Sequence, residues 1–365
     1  MRVLVLLTDA YGGHGGIAAY NRDLLESLVG FEPAMDVVAI PRVISSPMSQ
    51  MPKGLEFDLS AAGGSVRYVR ALLKHLRRGR FDLVYCAHVN LSPLAWLAAK
   101  LAHCPWMLAI YGIDAWAPKS RRLVQMSCRR PDHVVAISDV TRQRFLSFSG
   151  VDPSRTSLLP NAVHLEEFGV GPRNEELARR LDVAGRKVLL TFGRLSPDER
   201  YKGFDEIISV MPRLVARVPE LVYVIAGTGA DQPRLAARVS ELGLCNHVRF
   251  TGYVAEEEKA DLYRLADVFA LPSKGEGFGF VLLEAMACGV PVIASKVDGG
   301  REAVLEGRLG RIVDPDDPDE LAEAILEALS SPHRIPAGLE HFAFPRFAER
   351  ARQCVKAVAE GGRKG

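Results

Sequence analysis

Short apolar runs alternate with longer amphipathic segments along the whole chain, and this alternation limits the fold more than any other feature of the sequence. The runs are apolar throughout, which is typical of strands that helices cover on both faces of a parallel sheet. The strands predicted in the first half span residues 3–7, 37–40, 83–86, 107–111 and 134–137. The best candidate for a membrane span, residues 91–113, contains Lys100, His103 and Pro105, so we interpret it as a helix, a turn and a buried strand.

The same alternation starts again after a polar stretch at residues 171–176. The strands predicted in this second half span residues 188–192, 222–225, 248–250, 268–271 and 292–294. We therefore predict an α/β protein with two doubly wound, Rossmann-like domains over residues 1–168 and 169–343. Residues 344–365 are predicted to form a last helix and a frayed tail, which could pack back on the N-terminal domain.

The composition of the chain limits the binding partners and the cellular compartment that we expect. The 365 residues suffice for two domains that each bury a core. Lys and Arg number 46 against 44 Asp and Glu, and a net charge of +2 argues against nucleic acid as the partner. The six cysteines form no C-x-x-C pair, which indicates reduced thiols in a cytosolic setting and argues against a zinc site. The apolar run after Arg2 is too short for the core of a signal peptide, so we expect a cytoplasmic protein.

A glycine-rich turn, residues 12–16, joins the first predicted strand to the first predicted helix. Glycines let backbone amides approach a ligand, and a helix N-terminus attracts phosphate. A tight structural turn is the alternative, and the spacing departs from the G-x-G-x-x-G fingerprint of dinucleotide-binding proteins. An NAD-dependent dehydrogenase is therefore not favoured.

Two cations flank the carboxyl end of the strand predicted at residues 188–192. Arg194 follows that strand directly, and Lys202 stands before the next helix. Ligands of open α/β sheets bind at this edge, where both cations could neutralise a diphosphate through charge-assisted hydrogen bonds. A solvated pair on the surface is the alternative.

Two glutamates eight positions apart mark the segment from residue 273 to residue 289. Glu276 lies in a glycine-rich loop, and Glu284 lies in a helix that is otherwise apolar. A carboxylate on such a helix needs either a polar ligand, such as vicinal sugar hydroxyls, or a cation. An exposed helix residue after a surface turn is the alternative interpretation. The amides from Phe278 to Val281 could meet an anion at the helix N-terminus.

Together these stretches resemble the retaining family-4 glycosyltransferases of the GT-B class. The matching stretches span residues 12–21, 160–163, 193–203, 224–229, 248–253, 276–289 and 291–294. The resemblance implies two Rossmann-like domains that face each other across a cleft. It further implies that the C-terminal domain binds a nucleotide-diphosphate sugar and that the N-terminal domain binds the acceptor.

The resemblance also implies a role for each candidate residue. Arg194 and Lys202 would bind the diphosphate, and with Glu276 they are the predicted catalytic groups. Glu276 would hold hydroxyls of the donor sugar, and Glu284 would hold those of the ribose. Backbone amides would add phosphate contacts, and Gly15 and Gly16 would approach the phosphates from the N-terminal domain. The residues expected to supply these amides are Gly277, Phe278, Gly279, Phe280 and Val281.

The implied reaction moves a hexose from GDP-hexose or UDP-hexose to a saccharide or a lipid-linked saccharide, as in polysaccharide or glycolipid assembly. Retention would follow from front-face attack assisted by the leaving phosphate, with no carboxylate nucleophile and no metal. Arg194 and Lys202 could stabilise the charge that grows on the departing nucleoside diphosphate. The alternatives are a nucleotide-sugar epimerase of the same architecture and a non-catalytic protein that binds nucleotides or carbohydrates.

One position departs from the family pattern. Many relatives have a histidine where this chain has Tyr111. We therefore consider His88, Tyr111 and Asp114 as residues of the acceptor side. The alternatives are a structural or surface role for His88 and a helix N-cap for Asp114.

Two basic clusters lie in the predicted acceptor domain. They could rest on anionic lipid at the inner face of a membrane and bring a lipid-linked acceptor within reach, although charge runs are usually solvated faces. The first cluster comprises Arg67, Arg70, Lys74, Arg77, Arg78 and Arg80, and the second comprises Lys119, Arg121, Arg122, Arg129 and Arg130.

Overall fold

The computed structural model describes residues 1–13, 15–45 and 47–362, and it divides the chain into two compact units. The first unit comprises Met1–Ala162 together with Phe344–Gly365, and the second comprises Val163–Ala343. His14 of the glycine-rich turn and the last three residues of the predicted tail lie outside the described residues.

The first unit contains one parallel sheet with helices between its strands. Among the described residues, seven strands follow the spatial order β3-β2-β1-β4-β5-β6-β7. Its strands are β1 (Arg2–Leu7), β2 (Asp36–Pro41), β3 (Leu55–Phe57), β4 (Leu83–Cys86), β5 (Trp106–Ile110), β6 (His133–Ala136) and β7 (Thr156–Leu158). Its first five helices are α1 (Gly16–Val29), α2 (Ser65–Arg78), α3 (Ser92–Ala102), α4 (Arg122–Ser127) and α5 (Asp139–Ser149).

The second unit repeats this plan with a parallel sheet in the order β10-β9-β8-β11-β12-β13, six strands within the described range. Its strands are β8 (Lys187–Phe192), β9 (Leu221–Ala226), β10 (Val248–Gly252), β11 (Val268–Leu271), β12 (Val292–Ser295) and β13 (Arg311–Val313). Its helices are α6 (Glu175–Arg180), α7 (Phe204–Arg217), α8 (Gln232–Glu241), α9 (Lys259–Leu265), α10 (Phe280–Ala287), α11 (Gly300–Ala303) and α12 (Pro318–Ala328).

The predicted fold class, two Rossmann-like α/β units, is confirmed. Each apolar run on which the prediction depends forms a strand, and residues of β1 and β11 such as Leu4 and Phe269 are fully buried. The sequence analysis missed three strands of three residues each, β3, β7 and β13, which lie at sheet edges. Edge strands have one neighbour and partly exposed residues, so they lack the continuous apolar run that marks a central strand.

The last helix, α13 (Phe344–Gly361), belongs to the first unit and packs on α1. Arg352 of α13 is 7% exposed, and its guanidinium donates to the carbonyl oxygens of Ser27 at 3.1 Å, Leu28 at 3.2 Å and Pro33 at 2.8 Å. These carbonyls lie at the C-terminal end of α1 and just beyond it, where a helix presents oxygens without partners in the helix. The interaction fixes the end of the chain to the first unit.

Each sheet has a point at which the strand order changes direction, between β1 and β4 in the first unit and between β8 and β11 in the second. Strands β8 and β11 are parallel neighbours, with Leu189 opposite Val268 and Leu190 opposite Phe269. Ligands of open α/β sheets bind outside the carboxyl ends of the strands at such a point. A binding site in the second unit is therefore expected at the loops that follow β8 and β11.

None of the helices in the described ranges combines the length and the apolar character that crossing a membrane requires.

Candidate active site

Lys202 and Glu276 form an ion pair at the carboxyl edge of the second sheet, with 2.9 Å between Nζ and Oε2. Lys202 precedes α7, and Glu276 lies in the loop that follows β11. Their side chains are only 16% and 21% exposed, so little water screens the attraction. Burial opposes the charge of Lys202, but Glu276, with smaller contributions from Tyr201 and Glu199, raises the pKa of the lysine above its usual value. Lys202 is therefore protonated at neutral pH.

Arg194 joins this pair through Glu199, a residue that the sequence analysis missed. The guanidinium of Arg194 contacts Oε1 of Glu199, and Oε2 of Glu199 lies 4.0 Å from Nζ of Lys202. Arg194, Glu199, Lys202 and Glu276 thus alternate in sign, and we call these four residues the charge row. Because Arg194 is 72% exposed, it is the member that a dissolved anion meets first.

The loop that follows β11, residues 272–279, is held in place from two sides, and we call it the β11 loop. On one side the amide of Lys274 donates to the carbonyl of Tyr201 at 2.7 Å, and Gly275 packs against the Tyr201 ring. On the other side the amide of Glu276 donates to the carboxylate of Asp298 at 2.8 Å. Glu276 therefore projects from a backbone with fixed attachments.

Helix α10 begins directly after the β11 loop. Gly279, its N-cap, has φ +86°, a left-handed conformation that favours glycine. The first amides of an α-helix, here those of Phe280 and Val281, have no acceptor within the helix and attract anions. The ring of Phe278 packs on that of Phe342 with 5.5 Å between centroids, so this side chain supports the loop. The backbone contacts predicted for residues 277–281 remain predictions.

Glu284 of α10 is 9% exposed and therefore is not the surface residue of the alternative interpretation. Its carboxylate accepts a hydrogen bond from the hydroxyl of Tyr263 at 2.6 Å and lies 3.5 Å from Nζ of Lys259. Burial raises the pKa of Glu284 above its ordinary value, while Lys259 and Tyr263 oppose that rise. Both partners come from α9, and the sequence analysis named neither.

In the first unit the glycine-rich turn is organised by Asp9, at the carboxyl end of β1. The Oδ1 atom of Asp9 accepts from the amides of Ala10 at 2.7 Å and Gly12 at 3.2 Å. Gly15 has φ +98° and caps α1, which begins at Gly16. The structure thus places both predicted glycines at the N-terminus of α1, the position that suits a phosphate.

Tyr111 is buried in the same region of the first unit as the glycine-rich turn. Its hydroxyl donates to Oδ1 of Asn21 at 3.0 Å, and the amide of the Asn21 side chain donates to the carbonyl of Asp9 at 2.8 Å. Burial raises the pKa of Tyr111 well above its ordinary value, so it stays a neutral hydroxyl. Tyr111 is therefore built into a network that ends at the glycine-rich turn.

His88 follows β4, on the same sheet edge as the glycine-rich turn, and is half-buried. Its Nδ1 accepts from the amide of Asn90 at 3.0 Å, which caps a short 3₁₀ turn. Burial first, and then the positive charges of Lys119 and Arg42, lower the pKa of His88 to about 4. The ring is therefore neutral at pH 7, and with Nδ1 accepting it carries its proton on Nε2.

Asp114 lies in a 3₁₀ turn after β5 and lines a cavity with room for about one water molecule. Its Oδ2 is buried and has no hydrogen-bond partner within the described ranges. Burial raises the pKa of Asp114 to about 7. The cavity also contacts Lys119, Gln125 and Arg129.

The structure brings together three of the predicted donor-site residues, Arg194, Lys202 and Glu276, in the charge row. Glu284 is separate, since its partners come from α9 and no described hydrogen bond or ion pair links it to that row. Sequence reasoning missed Glu199 and Asp298. Glu199 lies five positions after Arg194 in a polar segment, and Asp298 precedes the pair Gly299 and Gly300, but neither signal identifies the partner.

Two doubly wound units, with cations and a helix N-terminus at the switch point of the second, are the architecture of GT-B enzymes that use nucleotide sugars. The family profile described as Glycosyltransferase Family 4 matches residues 14–167, and the profile described as Glycosyl transferases group 1 matches residues 173–341. The chain belongs to the family-4 glycosyltransferases of the GT-B class. It is thus a glycosyltransferase that depends on a nucleotide sugar.

Similar proteins cover nearly the whole chain. The GDP-mannose-dependent alpha-(1-6)-phosphatidylinositol monomannoside mannosyltransferase of Mycobacterium tuberculosis H37Rv is 31% identical, over 92% of this chain and 91% of that protein. The D-inositol 3-phosphate glycosyltransferase of Geodermatophilus obscurus is 34% identical, over 91% of this chain and 81% of that protein. The crystal structure of Anabaena Alr3699/HepE in complex with UDP superposes with a TM-score of 0.74 at 21% identity, over 99% of both chains, which supports the fold.

Proposed function

We propose that this enzyme transfers a mannosyl group from GDP-mannose to an inositol-containing acceptor, with retention of anomeric configuration. The observation that carries the proposal is the charge row at the switch point of the second sheet. Lys202 and the exposed Arg194 supply two positive charges for a diphosphate, and Glu276 supplies a carboxylate for sugar hydroxyls.

The charge row also supports the chemistry of bond cleavage. When the bond between the sugar and the diphosphate breaks, negative charge grows on the departing nucleoside diphosphate. Lys202 is already protonated and held by Glu276, so it can stabilise that charge without reorganising. Glu276 is neutralised by this ion pair, which favours a role in binding sugar hydroxyls over one as a nucleophile.

GDP-mannose is the proposed donor because the mycobacterial relative is a GDP-mannose-dependent mannosyltransferase. The proposed acceptor is the inositol ring shared by the names of both relatives, carried by a phosphatidyl group in one and by a phosphate in the other. We assign acceptor binding to the carboxyl edge of the first sheet. There His88 offers a neutral Nε2–H donor.

A transfer assay tests the proposal. Purified enzyme is incubated with GDP-mannose and phosphatidyl-myo-inositol or D-inositol 3-phosphate, with UDP-glucose and UDP-galactose as alternative donors. We expect GDP release that depends on the acceptor and an α-linked product, which the one-bond carbon–proton coupling at the anomeric centre identifies in NMR. A β-linked product would disprove retention. Conversion of the nucleotide sugar without acceptor and without GDP release would instead indicate an epimerase, and tight donor binding without any turnover would indicate a non-catalytic protein.

Donor choice can be measured without an acceptor. A ligand that binds only the folded protein raises its melting temperature, and at equal concentration the tighter ligand raises it more. We expect GDP-mannose and GDP to raise Tm more than UDP-glucose and UDP. The reverse order would replace GDP-mannose by a UDP-sugar and leave the transferase assignment in place.

We also propose that the first unit rests on anionic lipid at the cytoplasmic face of a membrane. Residues 64–131 contain 12 Lys and Arg but only two acids, Asp82 and Asp114, whereas the whole chain has a net charge of +2. Helix α3 packs against α2, which carries most of the first basic cluster, and against α4, which the second cluster flanks. Apolar side chains are exposed beside these cations, with Val66 65%, Leu123 68% and Met126 48% exposed. Cations next to exposed apolar groups are typical of helices that lie on a membrane surface.

Liposome co-sedimentation tests this contact. We expect binding to vesicles that contain phosphatidylglycerol, weakening as salt rises from about 0.05 to 0.5 M because the Debye length shrinks. Replacing Arg121 and Arg122 by Gln should weaken binding, whereas the same change at Arg213 and Arg217 of the second unit should not. Binding that is equal on neutral vesicles, or insensitive to salt, would rule out the electrostatic contact.

A further inference from the structure

Asp298 connects two loops of the second unit, the β11 loop and the loop that follows β12. Its Oδ2 accepts from the Ser273 hydroxyl at 2.6 Å and from the Glu276 amide at 2.8 Å, and its Oδ1 accepts from the Gly300 amide at 2.9 Å. The Gly299 amide donates in turn to the carbonyl of Glu276 at 2.9 Å. Asp298 is fully buried. Glu276 is therefore held at both its amide and its carbonyl by the loop that contains Asp298.

The approach of the two loops leaves no room for a side chain between them. A Cβ atom on Gly299 would overlap the carbonyl of Gly277, so these backbones touch directly. The carboxylate of Asp298 is the acceptor that joins them, and it has three donors and no cation. Within the described part of the chain, no Lys or Arg lies within 4.0 Å of it.

The charged groups on the elements around Asp298 are engaged elsewhere. Lys274 pairs with Asp316 at 2.7 Å and Glu206 at 3.0 Å. Lys296 pairs with Asp314 at 2.9 Å, and Arg301 lies 3.4 Å from Glu306. Helix α11 adds Glu302, and Glu276 faces Asp298 from the β11 loop with a like charge. The ionised state of Asp298 therefore depends mainly on the hydroxyl and the two amides that donate to it.

We propose that Asp298 is a positioning residue of the donor site, which places the carboxylate of Glu276 against Lys202 by holding the Glu276 amide. The inference rests on the proposed function, since it assigns a purpose to the geometry of Glu276. It also predicts a switch. An ionised carboxylate accepts all three hydrogen bonds. A protonated Oδ2 can donate only to the Ser273 hydroxyl, since a backbone amide cannot accept, and it then becomes a much weaker acceptor for the Glu276 amide.

The pH range of this switch follows from the surroundings of Asp298. Burial raises its pKa to about 6, and the hydrogen bonds from Ser273, Glu276 and Gly300 oppose that rise. Activity should therefore fall as pH drops through about 6, because Glu276 is released. The contribution of Asp298 to the free energy of unfolding should change in the opposite direction and increase as pH falls. The pKa of an unfolded aspartate is about 3.9, so the contribution of this group to stability is full below that pH and declines as pH rises towards 6.

The experiment follows kcat/KM for GDP-mannose from pH 5 to pH 8.5 in the wild type, Asp298→Asn and Ser273→Ala. The phosphates of GDP-mannose stay ionised over this range, so they add no titration. For the wild type we expect kcat/KM to fall on the acid side with a midpoint near pH 6, by about tenfold per pH unit below that midpoint. For Asp298→Asn we expect kcat/KM to be independent of pH, at a level about tenfold below the wild-type plateau. Ser273→Ala removes one donor to the ionised form, so its midpoint should move to higher pH. An acid limb that neither variant alters would overturn the proposal.

A second measurement does not depend on the donor. Amide hydrogen exchange of residues 273–280, measured at pH 7.5 without ligand, should be faster in both variants than in the wild type. Unchanged exchange in a folded variant would overturn the role of Asp298. If Asp298→Asn does not fold, Ser273→Ala still tests the role of Asp298, through its amide exchange rate and through the shift of its acid limb. If the wild type neither binds nor uses GDP-mannose at any pH, the proposed donor fails while the exchange data still test Asp298.

Discussion

The hydroxyl of Tyr111 lies 3.0 Å from Oδ1 of Asn21 and donates to it, although the two residues are 90 positions apart. Tyr111 follows β5, and Asn21 lies on α1, so the bond ties a strand end to the helix that carries the glycine-rich turn. The ring of Tyr111 also meets that of Tyr20 edge to face, with 5.1 Å between centroids. Tyr111, where the resemblance leads us to expect a histidine, thus makes its contacts inside the first unit.

Replacement of Tyr111 by Phe should lower both stability and activity. The change leaves Oδ1 of Asn21 buried without its donor, which costs about 1–3 kcal/mol, and it frees the side chain that supports Asp9. Tyr68→Phe is the matched control, because that buried hydroxyl donates to the Ile40 carbonyl at 3.1 Å, away from the glycine-rich turn. Both variants should lose several degrees of Tm, but only Tyr111→Phe should also lose turnover. Equal turnover in the two variants would show that the network serves the fold alone.

Glu276→Gln and Lys202→Met should each reduce kcat/KM by about 100-fold or more, since each removes a preorganised charge from the donor site. Stability should also fall, by about 1–3 kcal/mol, because each change leaves the partner charge unpaired where little water screens it. Lys274→Met is the control: it lies two residues from Glu276 but pairs with Asp316 and Glu206. Steady-state kinetics and thermal unfolding measure the two effects. Wild-type kinetics in Glu276→Gln would remove Glu276 from the site.

Tyr263→Phe should destabilise the protein more at pH 8 than at pH 5. The hydroxyl donates to the buried carboxylate of Glu284, and a hydrogen bond to a charged group contributes about 1.5–3 kcal/mol. Burial already raises the pKa of Glu284 above the unfolded value, so ionised Glu284 is the costly form in the fold. Loss of the hydroxyl raises that pKa further, and the loss of stability therefore grows as pH rises.

Tyr223→Phe provides the comparison for this pH dependence. The Tyr223 hydroxyl donates to the hydroxyl of Thr191 at 3.0 Å, and both side chains are fully buried. Because no ionised group accepts this bond, its loss should cost about 1 kcal/mol at either pH. Chemical denaturation at pH 5 and pH 8 measures both variants. A pH-independent loss in Tyr263→Phe would mean that Glu284 does not change its protonation state between pH 5 and pH 8.

Asp114→Asn should stabilise the protein at pH 8 and have a smaller effect on its stability at pH 5. Burial raises the pKa of Asp114 to about 7 from an unfolded value of about 3.9, so its contribution to stability is full below 3.9 and is lost as pH rises towards 7. Asparagine resembles the neutral form at every pH. We expect Tm at pH 8 to rise by about 2–4 °C, which corresponds to roughly 1 kcal/mol.

Replacement of Asp58 by Asn should have the opposite effect on Tm at pH 8. Although burial acts against it, hydrogen bonds from Ser60, His75 and Lys74 hold the pKa of Asp58 below its usual range. Ionised Asp58 is therefore the favoured form in the fold, and Asp58→Asn should lower Tm at pH 8. If both asparagine variants moved Tm in the same direction at pH 8, the contrast between the two carboxylates would be wrong.

The central strands could be predicted from the sequence because their signal is local. Burial on both faces demands a continuous apolar run, and β4 and β11 match the predicted residues 83–86 and 268–271 at both ends. The edge strands β3 and β13 could not be found this way, since Glu56 and Arg311 are exposed and interrupt the pattern.

The candidate site could be predicted only in part, for a related reason. Charge and position at strand ends pointed to Arg194, Lys202 and Glu276, because those signals are visible along the chain. The partners of a buried carboxylate are a matter of tertiary structure. Lys259 and Tyr263 approach Glu284 from α9, and Asp298 reaches Glu276 from the loop after β12. The requirement that Glu284 find a polar or cationic partner could be derived, but the identity of that partner could not.

Helix α13 has a consequence for the order in which this polypeptide matures. It leaves the ribosome after the whole second unit, yet Arg352 binds carbonyls near the end of α1, more than 300 positions earlier. During synthesis the second unit is complete once residue 343 has emerged, whereas the first unit must wait for α13. A stop codon introduced between residues 343 and 352 would therefore spare the second unit and damage the first, although most of the first unit is translated earlier.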